Sequence, residues 1–139
     1  MSYRSKARKR AVDALYAAEL RDELATELLD TSKESMADRQ NQDAIYEFAE
    51  ELVTGVLKHQ LEIDEKISSL SQNWSMDRMP ALDRAILRLA AYELMFGSET
   101  PSEVVISEAV ELAGELSTEN SATFVNGVLS AISSTQRPI

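Results

Sequence analysis

The chain of 139 residues contains no cysteine. That excludes disulfides, a thiol nucleophile and cysteine-bound zinc or iron–sulfur clusters. Its one histidine, His59, excludes a multi-histidine metal cage and any site built from two imidazoles. Glycine and proline are scarce, at four and three residues. Together they make up about 5% of the chain, against a usual share of roughly 12%. Strand-and-turn architectures and flexible linkers are therefore disfavoured. Long apolar runs are missing too. The most apolar stretch, 85–96, is interrupted by Arg88 and Glu93 and falls short of the roughly 20 residues of a membrane-spanning helix. The basic start runs into Ala11-Val12-Asp13 without the apolar core of a signal peptide. No membrane association is expected, and the absence of cysteine permits a cytosolic setting. The length suits a single domain with its own core.

What is present is acid, unevenly distributed. The formal charge is −10, yet the first ten positions hold five of the 14 basic residues and no acid. The rest of the chain therefore carries −15. Such a protein repels nucleic acid as a whole. Screening limits that repulsion to about 8 Å at physiological salt, so the basic start can still dock phosphate. It is read either as a solubilising tail or as a binding patch.

Helical periodicity extends into the basic start. Ala7, Ala11, Leu15 and Ala18 form one stripe. Arg4/Arg8 and Lys6/Arg10 are then like-charged i,i+4 pairs, each repelling by a few tenths of a kcal/mol. They also stand where the helix dipole disfavours cations. An anionic ligand would relieve both costs. Tyr16, on the side of Lys9, is either a half-buried packing aromatic or part of that surface.

Residues 21–36 read as a second, acid-rich helix with Leu24, Leu28 and Leu29 as its apolar positions, and 37–42 as a polar connection. Asp43 is expected to cap one long helix whose face runs from Ile45 and Phe48 to Ile67 and Leu70. Gly55 either kinks it or allows close packing. Ser71-Gln72-Asn73-Trp74-Ser75 reads as a loop, with Trp74 a lid on the core. The stretch after Pro80 is apolar nearly all round and predicts a buried central helix ended by Gly97. Thr100-Pro101-Ser102-Glu103 reads as a capping box with Thr100 at the cap. Phe124-Val125-Asn126-Gly127-Val128-Leu129 contains a hairpin cue, but Phe124, Val128 and Ile132 fit helical spacing. We read a helix capped by Ser121, with Gly127 as a close-packing point and 133–139 as a frayed end.

Catalytic patterns are missing. There is no glycine-rich phosphate loop or Walker pattern. A di-iron bundle needs Glu-x-x-His on two helices, which one histidine cannot supply. His59 reads as a surface or boundary residue, and the glutamates as a solvated helix face. No enzyme activity, cofactor or metal is expected. A helical binding module remains.

Four blocks are recognisable in order and spacing: the basic start through Ala11-Val12-Asp13-Ala14-Leu15-Tyr16; 82–94 (LDRAILRLAAYEL); 105–113 (VISEAVELA); and 124–129 (FVNGVL). Together they resemble the NusB family of transcription antitermination factors over nearly the whole chain. The resemblance implies an all-α fold of two packed helical subdomains, placed here at approximately 1–75 and 76–139. It implies binding to the single-stranded boxA element of nascent RNA jointly with NusE, a small-subunit ribosomal protein. The complex helps RNA polymerase read through terminators, chiefly in ribosomal RNA operons. Monomers and homodimers both occur in the family, and the sequence leaves that choice open.

Carried over by residue, the resemblance implies RNA contacts from Arg4, Lys6, Arg8, Lys9 and Arg10. It adds Tyr16 and Phe124 as aromatics near the RNA path, Asn120 and Asn126 beside Phe124, and Asp83 as an acidic position near the NusE contact. Asp83 is alternatively a charge that only favours the helix dipole. Some positions depart from the family pattern. Ser107 stands where Asn is usual, Thr123 where Lys is common and Ser130 where Asp is common, so Thr123 removes a phosphate contact from the final helix. Lys6 and Lys9 offer point charges in place of forked guanidinium groups, which favours phosphate contact over base readout. NusB-like domains also front some RNA cytosine methyltransferases, but 139 residues leave no room for a methyl-donor domain. The other alternative is a helical adaptor that binds only protein, and an RNA gel shift separates it from the RNA-binding reading.

Overall fold

The computed structural model describes residues 2–34, 42–72, 74–97 and 99–136. Among the described residues there are seven helices: α1 (Tyr3–Arg21), α2 (Ala25–Glu34), α3 (Gln42–Lys58), α4 (Gln60–Leu70), α5 (Ala81–Phe96), α6 (Ser102–Leu116) and α7 (Ser121–Gln136). No strand occurs among them. They group into two units, Met1–Lys58 and His59–Ile139. The division lies at 58/59 rather than near 75/76, because α4 packs on α5 and α7.

In the first unit α1, α2 and α3 pack on one another. The basic start is helical from Tyr3, with the Ser2 hydroxyl accepting from the Ser5 N–H at 3.1 Å. This is the usual N-cap device of a side-chain oxygen on an orphan amide. Ala7, Ala11, Val12, Ala14 and Leu15 are buried. The helix ends at Asp22, which takes the left-handed conformation (φ 55°), a geometry Asp tolerates better than most residues. That cap, missed in the sequence, delays α2 to Ala25. Leu29 is buried and Leu24 exposed. Residues 35–41, most of the expected connection, lie outside the described residues.

Asp43 stands inside the first turn of α3 rather than at its cap. The expected long helix is broken at His59, not kinked at Gly55. Gly55 is buried within α3. In the second unit α5 is central and contacts α4, α6 and α7. Ala85, Ile86, Leu87, Leu89, Ala90, Ala91 and Leu94 are buried. Its polar strip is tied to neighbours. The Arg88 guanidinium donates from Nε and Nη2 to the two carboxylate oxygens of Asp64, at 2.8 and 3.0 Å, a forked geometry that is among the stronger hydrogen-bonded pairings. Arg84 Nη1 donates to the Met76 and Met79 carbonyls, pinning the loop before α5. Gly97 caps α5 as expected. Pro101, not Thr100, is the N-cap of α6. The hairpin cue is overridden: 121–136 is helix, and the end expected to fray is helical through Gln136.

Candidate nucleic-acid interface

Helix geometry sorts the five N-terminal cations into two sets. At about 100° per residue, Arg4 and Arg8 continue backwards along the line of Ala11 and Leu15. Lys6, Lys9 and Arg10 stand on the opposite side. Arg8 is 3% exposed. Its guanidinium lies 5.4 Å from the centre of the Phe48 ring of α3, and that of Arg4 lies 5.1 Å from the same ring. Each is a cation–π contact, strongest where water is excluded. Arg4 also donates from Nε to the Tyr3 hydroxyl at 3.2 Å. The five cations expected to contact RNA are therefore not equivalent in their surroundings. Arg8 is a packing residue of this unit, and Arg4 is half-buried against the same ring.

The outer set is the cationic surface. Lys9 is exposed, and Lys6, Arg10 and Tyr16 are half-buried. Tyr16 lies at nearly the same angle as Lys9, as the spacing indicated. Asp13, one turn beyond Lys9 and Arg10, tempers the positive field. Its carboxyl is pushed above the usual carboxylate range because desolvation outweighs the opposing pull of Lys9 and then Arg10.

The second unit presents a groove of about 610 Å³ lined by residues of α4, the 71–80 loop and α7. Phe124 meets Trp74 edge-on, with centroids 4.9 Å apart, an arrangement that ring quadrupoles favour. Leu70, Asn120, Thr123 and Gly127 complete its main walls, and among the described residues no charged side chain lines it. Trp74 is thus a wall of this groove. A Cβ at Gly127 would meet nothing within 4 Å, so Gly127 is not a close-packing point.

Asn126 is not brought to Phe124. Two residues along a helix turn the side chain through about 200°, and Asn126 lines a separate surface groove with Glu103, Ile106, Ser107, Val110 and Glu111. Asp83 departs further from expectation. It is 0% exposed, and the Ser117 hydroxyl donates to its Oδ1. No partner surface can reach it, so its reading as an exposed partner contact is withdrawn. Phe48, Trp74 and Ser117 were the functional neighbours missed in the sequence. The one available signal was the apolar line of α1, which passes through Arg4 and Arg8.

His59 stacks on Phe96 at 3.9 Å between centroids and sits at the boundary between exposed and buried. No group of acidic and histidine side chains suited to a metal occurs among the described residues. No helix among them is long and apolar enough to cross a membrane.

The NusB family matches residues 5–134. The chain belongs to the NusB family. It is 47% identical over 136 residues to the transcription antitermination protein NusB of Clavibacter michiganensis subsp. michiganensis, covering 98% of this chain and 99% of that protein. Among solved structures it resembles the NusB of T. maritima, with a TM-score of 0.86, 37% identity and coverage of 97% and 93%. It also resembles a chain from the crystal structure of antitermination factors NusB and NusE in complex with dsRNA, with a TM-score of 0.83, 35% identity and coverage of 97% and 98%. Within this NusB-family chain, the outer face of α1 carries the solvent-facing cations and the aromatic groove lies beside α7, while Arg8 and Asp83 are buried and Asn126 lines a separate groove.

Proposed function

We propose that this chain is a transcription antitermination factor that binds the boxA element of nascent RNA together with NusE and helps RNA polymerase read through terminators. The observation that carries this reading is the outer face of α1. Lys6, Lys9 and Arg10 concentrate positive charge there in a chain that is otherwise strongly acidic. Phosphates of a single strand dock on them, and the point charges of the lysines give contact without base readout. Tyr16 adds a ring beside Lys9. Asn120 and Phe124 form a second contact, where an unstacked base meets the exposed part of the Phe124 ring, as single-stranded RNA commonly does on aromatics. The protein acts by binding, not by catalysis, and works in the cytoplasm, where the transcript emerges.

The acidic remainder supplies the second half of the mechanism. It weakens RNA binding by the isolated chain and attracts a cationic protein, speeding its docking. Once docked, that partner covers acid and adds positive charge near the RNA. The coupling is reciprocal by linkage and is expected to raise RNA affinity roughly 5- to 150-fold. The test is fluorescence anisotropy with single-stranded boxA RNA, with and without NusE, against a scrambled strand and a boxA duplex. The expected result is weak binding alone, tighter binding with NusE, and preference for the single strand. An isolated chain that binds as tightly as the pair overturns the cooperative mechanism. Undetectable RNA binding in both cases favours an adaptor that binds only protein.

A further inference from the structure

Asp83 has lost its expected role as a partner contact, yet it is the accepting end of a part-buried chain of hydroxyls. The Ser117 hydroxyl donates to its Oδ1. The Ser121 hydroxyl donates to Ser117 Oγ at 3.1 Å. Ser121 Oγ receives the Thr118 N–H at 3.2 Å and stands 2.7 Å from Thr118 Oγ1. Each hydroxyl has one proton to give, so the bond from Ser117 to Asp83 sets the direction of the whole chain: Thr118 to Ser121 to Ser117 to Asp83. Ser117 is the C-cap of α6 and Ser121 opens α7. Asp83 belongs to the first turn of α5. One carboxylate therefore ties the end of α6 and the start of α7 to the central helix. Asp83 and Ser121 are both 0% exposed, so water is kept from the two groups at the heart of the network, while Thr118 at its donor end is exposed. The Oδ2 atom of Asp83 is buried with no hydrogen-bond partner. A fold that only needed to close this turn could do so with an apolar side chain, without burying a half-satisfied carboxylate.

We propose that Asp83 is a positioning residue for RNA binding: through Ser117 and Ser121 it holds the α6–α7 turn so that Asn120 and Phe124 stand at the groove rim. Asn120 lies inside the turn that the network closes. Its carbonyl accepts the Phe124 N–H at 3.1 Å. Phe124 follows one helical turn later, edge-on to Trp74. A change in the network thus moves the two contact residues together. The proposal rests on the RNA role given above to Asn120 and Phe124.

The test uses the full chain and single-stranded boxA RNA. Ser117→Ala cuts the network while leaving Asp83 in place; Asp83→Asn keeps its shape. Phe124→Ala is made alone and combined with each. All affinities are read at a temperature where melting curves show every variant folded. Trp74, the chain's one tryptophan, reports the groove by its emission. The expected result is an altered Trp74 emission and an affinity loss of about fivefold for Ser117→Ala, the scale on which groups in one network couple. That loss should disappear in the Phe124→Ala background. A role confined to stability would lower the melting temperature and leave affinity and emission alone, and that outcome overturns the proposal. An equal loss with or without Phe124 also overturns it. If Phe124→Ala by itself leaves affinity unchanged, the RNA role of α7 falls, and the proposal falls with it, while binding at α1 stands untouched.

Discussion

The salt dependence of RNA binding counts the cations that meet phosphate. A single strand loses affinity with a log–log slope of about −0.7 for each phosphate neutralised. Five equivalent cations at the basic start would give a slope near −3.5. The structure removes two of them: Arg8 is buried beneath Phe48, and Arg4 is drawn onto the same ring. Lys6, Lys9 and Arg10 remain, so the expected slope is about −2. Arg10→Ala should bring it to about −1.4 and weaken binding severalfold. Arg8→Ala should leave the slope alone while lowering the melting temperature, because it removes a cation–π contact and leaves a void. Anisotropy titrations over a tenfold range of potassium chloride give these slopes directly. A slope near −3.5 that falls when Arg8 is removed would show that Arg8 swings out to the RNA, and the sorting of the cations would be refuted. A slope near zero would refute phosphate contact at α1 altogether.

The remaining predictions concern stability. Leu89→Ala, at a buried position of the central helix, should cost about 2–5 kcal/mol in denaturant melts; a cost below about 1 would contradict the placement of α5. Two glycines should respond with opposite signs. Gly127→Ala places a Cβ in open space and should raise stability by about 0.5–1 kcal/mol through helix propensity. Gly97→Ala brings a Cβ to 3.0 Å from the Glu93 carbonyl oxygen and should lower stability, with thermal melting as the check on both. Asp83→Lys separates the burial seen here from the exposed contact expected of the sequence. A lysine at a fully buried site should cost more than about 3 kcal/mol and compromise folding, whereas an exposed position would tolerate it with a small drop in melting temperature.

Much of the fold was legible because helix period is a local property. The core lines of α1, α5, α6 and α7 follow from spacing alone, and in 124–129 the period of Phe124, Val128 and Ile132 outweighed a strong dipeptide cue. Helix ends were less legible. Asp22 in the left-handed conformation, the break at His59 and the cap at Pro101 each depend on one backbone choice that several neighbouring residues could have made. The division between units falls at 58/59 because α4 finds its partners in α5 and α7, and partner choice between amphipathic helices is not written in the period of either one.

The sequence by itself determined that the protein is helical, that its positive charge is gathered at one end, and to which family it belongs. These properties reside in local spacing and in the order of short blocks. Only the tertiary structure decided which charges are usable. Phe48 lies forty residues from Arg8 and holds its guanidinium against a ring in a buried setting. Ser117 lies 34 residues from Asp83 and makes that buried carboxylate the anchor of a part-buried network. Asn126 and Phe124 are neighbours in sequence and face opposite ways. A charged side chain does what its surroundings permit, because burial and a single hydrogen-bond donor outweigh its intrinsic affinity for water. Those surroundings are assembled from residues far away along the chain.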